Sequence, residues 1–235
     1  MTQLVFLPGL AADAVMWEHQ LAVAPKQFSP VVSDVHARHA SLHDMAACLL
    51  LEHAEDLILC GASMGGMLAM EIVRQAPQRV RALALLGTSA RPETDAMRAL
   101  RESAITLFAQ GRALEVLEAN LQFAFHPSRS KDLSLRQRYL DFVLRAGAQQ
   151  LIRQNQALMA RADARLHLGT VACPTLVMCG DSDQLTPPEC SLEIAQLIKG
   201  AEFTLVPDCG HMLTMERPAE VNSVLLKWLS QQCRG

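Results

Sequence analysis

Apolar residues enter this chain in two rhythms. Short unbroken runs occupy residues 4–7, 31–33, 57–60, 82–86, 175–178 and 202–206. Such runs suit strands covered on both faces, which is the habit of parallel sheets. Between most of them the spacing turns helical. Met67, Leu68, Glu71 and Ile72 fall at helical spacing within 64–75, and Pro77 marks the end. Residues 191–198 and 219–229 read the same way, the latter just after Pro218. Strand, helix, strand, repeated, predicts an α/β fold: an open, mostly parallel sheet with helices on both faces.

The alternation stops between 91 and 165. Met97, Leu100, Ala104, Leu107 and Phe108 make one helical stripe, which Gly111 interrupts. Leu114, Leu117 and Leu121 make a second; Leu135, Tyr139, Phe142 and Ala146 a third; Leu151, Ile152, Leu158 and Met159 a fourth. An all-helical insertion is therefore expected between two strands. The division is 1–90 and 166–235 for the core and 91–165 for a helical cap. Its stripes need something to cover, and the top of the sheet is available.

Composition narrows the partners. The chain has 235 residues, half of them hydrophobic, with a formal net charge of -3. That suits one large domain and gives no reason to expect nucleic acid. No apolar run is long enough for a membrane span, and the start "MTQLVFLPGL" lacks a basic region before its apolar residues. Seven cysteines without paired spacing point to reduced thiols, so the expected compartment is the cytoplasm. The oligomeric state is not encoded in any pattern of the chain.

The chemistry concentrates at "CGASMGGMLAM", where Ser63 sits between Gly61 and Gly65. A serine on a sharp turn between strand and helix points its oxygen out of the backbone, and its neighbours must be small because backbone passes close by. The helix that follows aims unpaired N–H groups at that oxygen. This is the G-x-S-x-G nucleophile elbow, expected just where strand meets helix. A serine needs a base, and the base needs an orienting acid. In the elbow architecture both come later, acid before histidine. "CGDSDQLTPP" and "DCGHMLTMERP" each follow an expected strand. His211 is the candidate base. Asp181 and Asp183 both fit the acid on spacing, with Asp208 a distant third.

In these motifs the chain resembles the α/β-hydrolase family, over nearly its full length. In that family the acid usually stands three residues after the glycine with a proline shortly after, as Gly180, Asp183 and Pro187 do here. The resemblance therefore implies Asp183, with Asp181 a turn residue, and it matches Gly210-His211 and the following "ERP". It also implies an oxyanion hole from two backbone N–H groups, those of Met64 and of Leu10 in "PGL". Pro8 stands where many members have histidine. Trp17 is expected to pack that loop's helix on the sheet. No cofactor and no metal is expected.

The implied activity is a Ser-His-Asp carboxylic ester hydrolase, acting through an acyl-enzyme on Ser63 on a small, largely apolar ester, thioester or lactone. Leu10, Met64, Phe123, Phe125 and Leu185 are the expected pocket walls. The same fold and triad also serve cofactor-free lyases and C–C bond hydrolases, and a non-catalytic ligand receptor is the remaining class. His36, His39 and His43, with Asp34 nearby, are read as a polar surface loop near the site mouth rather than a zinc site. His19, His53, His126 and His167 are read as structural.

Overall fold

The structure, a computed structural model, describes residues 2–129 and 131–232. Six strands form one parallel sheet: β1 (Thr2–Leu7), β2 (Val31–Val32), β3 (Asp56–Ala62), β4 (Val80–Leu86), β5 (Thr175–Gly180) and β6 (Glu202–Val206). Their order is β2-β1-β3-β4-β5-β6. All six apolar runs are strands. Several strands outlast their run because ladder pairing continues past it: Asp56 pairs with Thr2, and Gly61 with Leu7 and Leu85.

The helices are α1 (Glu18–Val23), α2 (Val35–Arg38), α3 (Leu42–Glu52), α4 (Met64–Gln75), α5 (Asp95–Ala109), α6 (Ala113–Ala124), α7 (Leu133–Met159), α8 (Arg165–Leu168), α9 (Pro188–Leu197), α10 (Leu213–Glu216) and α11 (Pro218–Gln232). The helix expected from 191 begins at Pro188 instead, because proline's fixed φ and missing N–H suit a first helical turn.

Side chains alternate between two cores, as the strand period requires. Leu4, Phe6, Ile58, Cys60, Ala84 and Met178 join Trp228 and Leu229 of α11, and with them Phe108, Leu121, Phe142 and Leu151 of α5–α7. Val5, Leu7, Leu59, Leu83 and Val177 meet Leu49 of α3, Leu68 and Ile72 of α4 and Ile194 of α9. Each fully buried Leu or Phe contributes about 1.5–3 kcal/mol by leaving water. Trp17, fully buried, stacks obliquely on Phe6 with ring centroids 4.9 Å apart, which ties the turn after β1 to the sheet.

The segment between β4 and β5 is helical throughout its regular elements. The third and fourth stripes lie on the two helical halves of α7, which meet at a sharp kink where Gly147 is non-helical (φ 75°, ψ 164°). The stripes are only partly covered. Phe108, Leu117 and Leu121 are buried, whereas Met97, Leu100 and Leu114 stay exposed. No helix among the described residues is long and apolar enough to cross a membrane.

Candidate active site

The carboxyl ends of β1, β3, β5 and β6 converge on one edge. Between β1 and β3 the strand order reverses, and such switch points open the crevice where parallel sheets bind ligands. Ser63 follows β3 there. Its φ is 53°, a left-handed value rare for a residue with a side chain. Holding it costs about 1–3 kcal/mol. Its N–H donates to Leu86 O at 2.9 Å, and its carbonyl accepts from Gly66 and Met67 N–H and from Thr88 Oγ1. The glycines are steric necessities: a Cβ at Gly65 would lie 2.0 Å from Leu7 O, and one at Gly61 2.3 Å from Gly65 O.

Ser63 Oγ lies 2.9 Å from His211 Nε2, and His211 Nδ1 lies 2.8 Å from Asp183 Oδ2. A carboxylate can only accept, so Nδ1 carries the proton and Nε2 is left to accept from the serine hydroxyl. Asp183 is buried, and its charge is met by donors: Leu185 N–H and Thr186 N–H on Oδ1, and Thr186 Oγ1 on Oδ2, each at 2.9 Å. Burial disfavours the carboxylate, but His211 and the Thr186 donors outweigh it and hold the Asp183 pKa below the usual value. For His211, burial disfavours the imidazolium; the charge and hydrogen bond of Asp183 overcome that and raise its pKa.

Asp181 lies apart from this line. It is exposed and accepts N–H bonds from Asp208 and Cys209 at 3.0 and 3.2 Å, which strap the β5 loop to the β6 loop. Asp208 is also exposed. Of the two aspartates open on spacing, the structure brings Asp183 to the histidine.

The loop after β1 runs beside the serine, for a Cβ built at Gly9 would stand 3.4 Å from Ser63 Cβ. Ala12 N–H donates to Gly9 O at 3.1 Å. Among the described residues, the Leu10 amide donates to no acceptor. Met64 is the first residue of α4, so its N–H has no partner within the helix.

The expected pocket walls scatter. Leu10 is partly buried at the loop, and Leu185 is 41% exposed beside Asp183. The Met64 side chain is buried in the core that it shares with α3 and α4. Phe125 is buried edge-on against Tyr139, and Phe123 of α6 is 39% exposed.

Three further residues support the site without standing out in the sequence. Thr186 orients the acid; the spacing Asp183-x-x-Thr186, apt for an aspartate capping its own turn, is its signal. Thr88 holds the Ser63 carbonyl. Glu216, buried, accepts Gly210 N–H and Met212 N–H at 3.1 and 3.2 Å and His126 N–H at 2.7 Å. It clamps both neighbours of His211, and burial raises its pKa despite those donors. The end of α6 adds to the clamp: Ala124 O accepts the N–H groups of His211 and Met212.

The histidine-rich stretch departs from expectation. His36 is buried on α2 with Nε2 on Ala12 O at 2.8 Å, because the short helix turns it inward; it is not on a surface loop. His39 is half-buried and His43 is exposed. No group of three His, Cys, Asp or Glu among the described residues could hold a metal.

Residues 38–218 match the family model of the alpha/beta hydrolase fold, and the chain belongs to that family. It is 26% identical over 241 residues to the protein named "Putative carbamate hydrolase RutD" of Yersinia enterocolitica, covering 96% of this chain and 86% of the relative. Among solved structures it is similar to an esterase of Thermogutta terrifontis (TM-score 0.88, 23% identity, 99% of this chain and 90% of that one). It is also similar to the enol-lactonase of Burkholderia xenovorans LB400 (TM-score 0.87, 21% identity, 97% and 91%).

Proposed function

We propose that this α/β-hydrolase is a serine hydrolase that cleaves carboxylic esters or lactones of small, largely apolar substrates. One observation carries the reading: the continuous line from Ser63 Oγ through His211 to Asp183, with contacts of 2.9 and 2.8 Å. His211 Nε2 takes the serine proton as Oγ attacks the carbonyl carbon. The oxyanion forms against the N–H groups of Leu10 and Met64, each supplying about 3 kcal/mol of barrier reduction. His211 then protonates the leaving oxygen as the C–O bond breaks. Water, deprotonated by the same imidazole, cleaves the acyl-enzyme and restores the serine hydroxyl.

In this reading, residues 91–165 cap the crevice. The side chains of Leu10 and Leu185 are its better wall candidates, since those of Met64 and Phe125 are committed to core packing. The names of the similar proteins, an esterase, an enol-lactonase and a carbamate hydrolase, all describe attack on a carbonyl carbon bonded to oxygen.

The test is hydrolysis of p-nitrophenyl esters from acetyl to octanoyl, with an aryl carbamate in the same panel. Wild type should cleave at least one ester, and Ser63→Ala should lose about 10⁴-fold or more in kcat. A folded wild type that cleaves no member of the panel, and whose Ser63 a fluorophosphonate does not label, would sink the proposal. Labelling without hydrolysis would instead point to the lyase or C–C hydrolase chemistry that uses the same triad.

A further inference from the structure

The loop that carries Leu10 is held from outside itself. A trans peptide sets its N–H opposite its C=O. The Gly9–Leu10 peptide has its C=O engaged by Ala12 N–H at 3.1 Å, which sets the direction of the Leu10 N–H. The next peptide ends at Ala11, whose φ of 58° is strained for a residue with a Cβ. Within the loop, the Gly9 O–Ala12 N–H bond closes the turn in which Ala11 takes that φ, but it leaves the Ala11 N–H itself without a partner. The Ala11 N–H donates instead to Gln154 Oε1 on α7, at 2.7 Å and 143 positions along the chain.

Gln154 is fully buried, and its other end is used too. Nε2 donates to His36 O at 2.9 Å. The His36 ring then returns to the loop, with Nε2–H donating to Ala12 O at 2.8 Å. The four residues close a ring of hydrogen bonds: Ala11 to Gln154, Gln154 to His36, His36 to Ala12. A buried glutamine costs free energy unless both ends of its amide are paired, and here both are. Burial lowers the His36 pKa, and its Nδ1 has no partner among the described residues.

We propose, resting on the serine-hydrolase reading above, that Gln154 is a positioning residue for the oxyanion hole. It is the link by which the helical segment between β4 and β5 sets the direction of the Leu10 N–H. An oxyanion donor contributes only when it stands at hydrogen-bond distance from the charge that develops, so a small rotation of the Gly9–Ala11 backbone removes most of its effect. Acting through backbone, the residue governs turnover rather than ground-state binding.

The test compares two variants of the full chain, with active sites counted by end-point fluorophosphonate labelling. Gln154→Met keeps volume and removes both bonds. Per labelled Ser63, its kcat should fall about 100-fold, with KM for the best p-nitrophenyl ester within about 3-fold of wild type. Affinity for an alkyl trifluoromethyl ketone, whose adduct carries an oxyanion, should fall in parallel. Gln154→Glu supplies the second arm. Protonated, the introduced carboxyl accepts from Ala11 and donates to His36 O as the amide does. Ionised, it sets an oxygen lone pair against that carbonyl.

The ionisable groups around the site are His36 on α2, Asp34 and Asp13 acting on it, and Arg153 and Arg145 of α7, on Ala37 O and Asp13. The activity of Gln154→Glu relative to wild type should therefore fall as pH rises, a dependence that a purely structural role does not produce. Taking the ratio removes the titration of His211, which both proteins share. If wild type cleaves esters and both variants match its kcat per labelled site at every pH, the positioning role is wrong and the hydrolase reading stands. The positioning role is equally wrong if the entire loss lies in the amount of folded protein. If Gln154→Met does not fold, the pH ratio of Gln154→Glu decides alone. If wild type itself neither labels nor cleaves, the hydrolase reading is what has failed.

Discussion

In the proposed mechanism, the hydrogen bond of His211 to the buried Asp183 carboxylate, which favours the protonated imidazole, sets the pH behaviour. The base acts only when neutral, and Asp183 raises its pKa above the ordinary 6.5. The acid limb of kcat/KM should therefore have its midpoint above 6.5. Asp183→Asn should move that midpoint downward and cut kcat by about 10⁴-fold, as loss of the orienting carboxylate does in triads generally. Asp181→Asn should stay within about 10-fold, because that carboxylate is bonded only to loop N–H groups and the Ser182 hydroxyl, not to His211. A reversal of these two outcomes in a pH–rate series would overturn the acid assignment. Glu216→Gln turns one of its two acceptor oxygens into a donor facing buried N–H groups. It should cost about 1–3 kcal/mol, read as a Tm lower by about 3–10 °C.

At the scale of elements, Gly147 is the decisive residue of α7. Its φ and ψ, 75° and 164°, lie where only glycine is comfortable. Nothing stands within 4 Å of where a Cβ would be, so its freedom is needed for the bend and not for space. The bend lets the first half of α7 pair Arg145 with Asp13 while the second half carries Gln154 to Ala11. Gly147→Ala should destabilise the protein by about 1–3 kcal/mol, measured by urea unfolding with an unchanged slope. An unaffected midpoint would mean that the bend is not required.

For the whole molecule, buried imidazoles make stability depend on pH with opposite signs. The folded pKa of His36 is lowered, first by burial, so its contribution is present above 6.5 and lost as pH falls below that value. The folded pKa of His211 is raised, so its contribution is full below 6.5 and fades as pH rises through the folded value. Asp183, lowered from 3.8, adds a loss only in stronger acid. Replacing His36 with glutamine, whose amide can imitate the Nε2–H donor, should flatten the fall in Tm between about pH 6.5 and 5. An identical slope in His36→Gln would show that His36 does not carry the acid sensitivity.

The sequence by itself determined the alternation of strand and helix, the helical break after β4, and the elbow at Ser63. Each is a local pattern: a run, a period, or a glycine spacing that a close backbone approach demands. The order serine, acid, histidine was legible for the same reason, since loops after successive parallel strands end on one edge. Spacing could not separate Asp181 from Asp183, because two residues of a loop differ only in which way they face once folded. It could not place Gln154, although that residue interrupts an apolar stripe between Leu151 and Leu158, because both its partners lie more than a hundred positions away. Nor could it turn His36 inward or bring Glu216 under the histidine loop. Those outcomes depend on which backbone groups the packing leaves buried and unpaired, and that is decided only when the sheet and its helices come together.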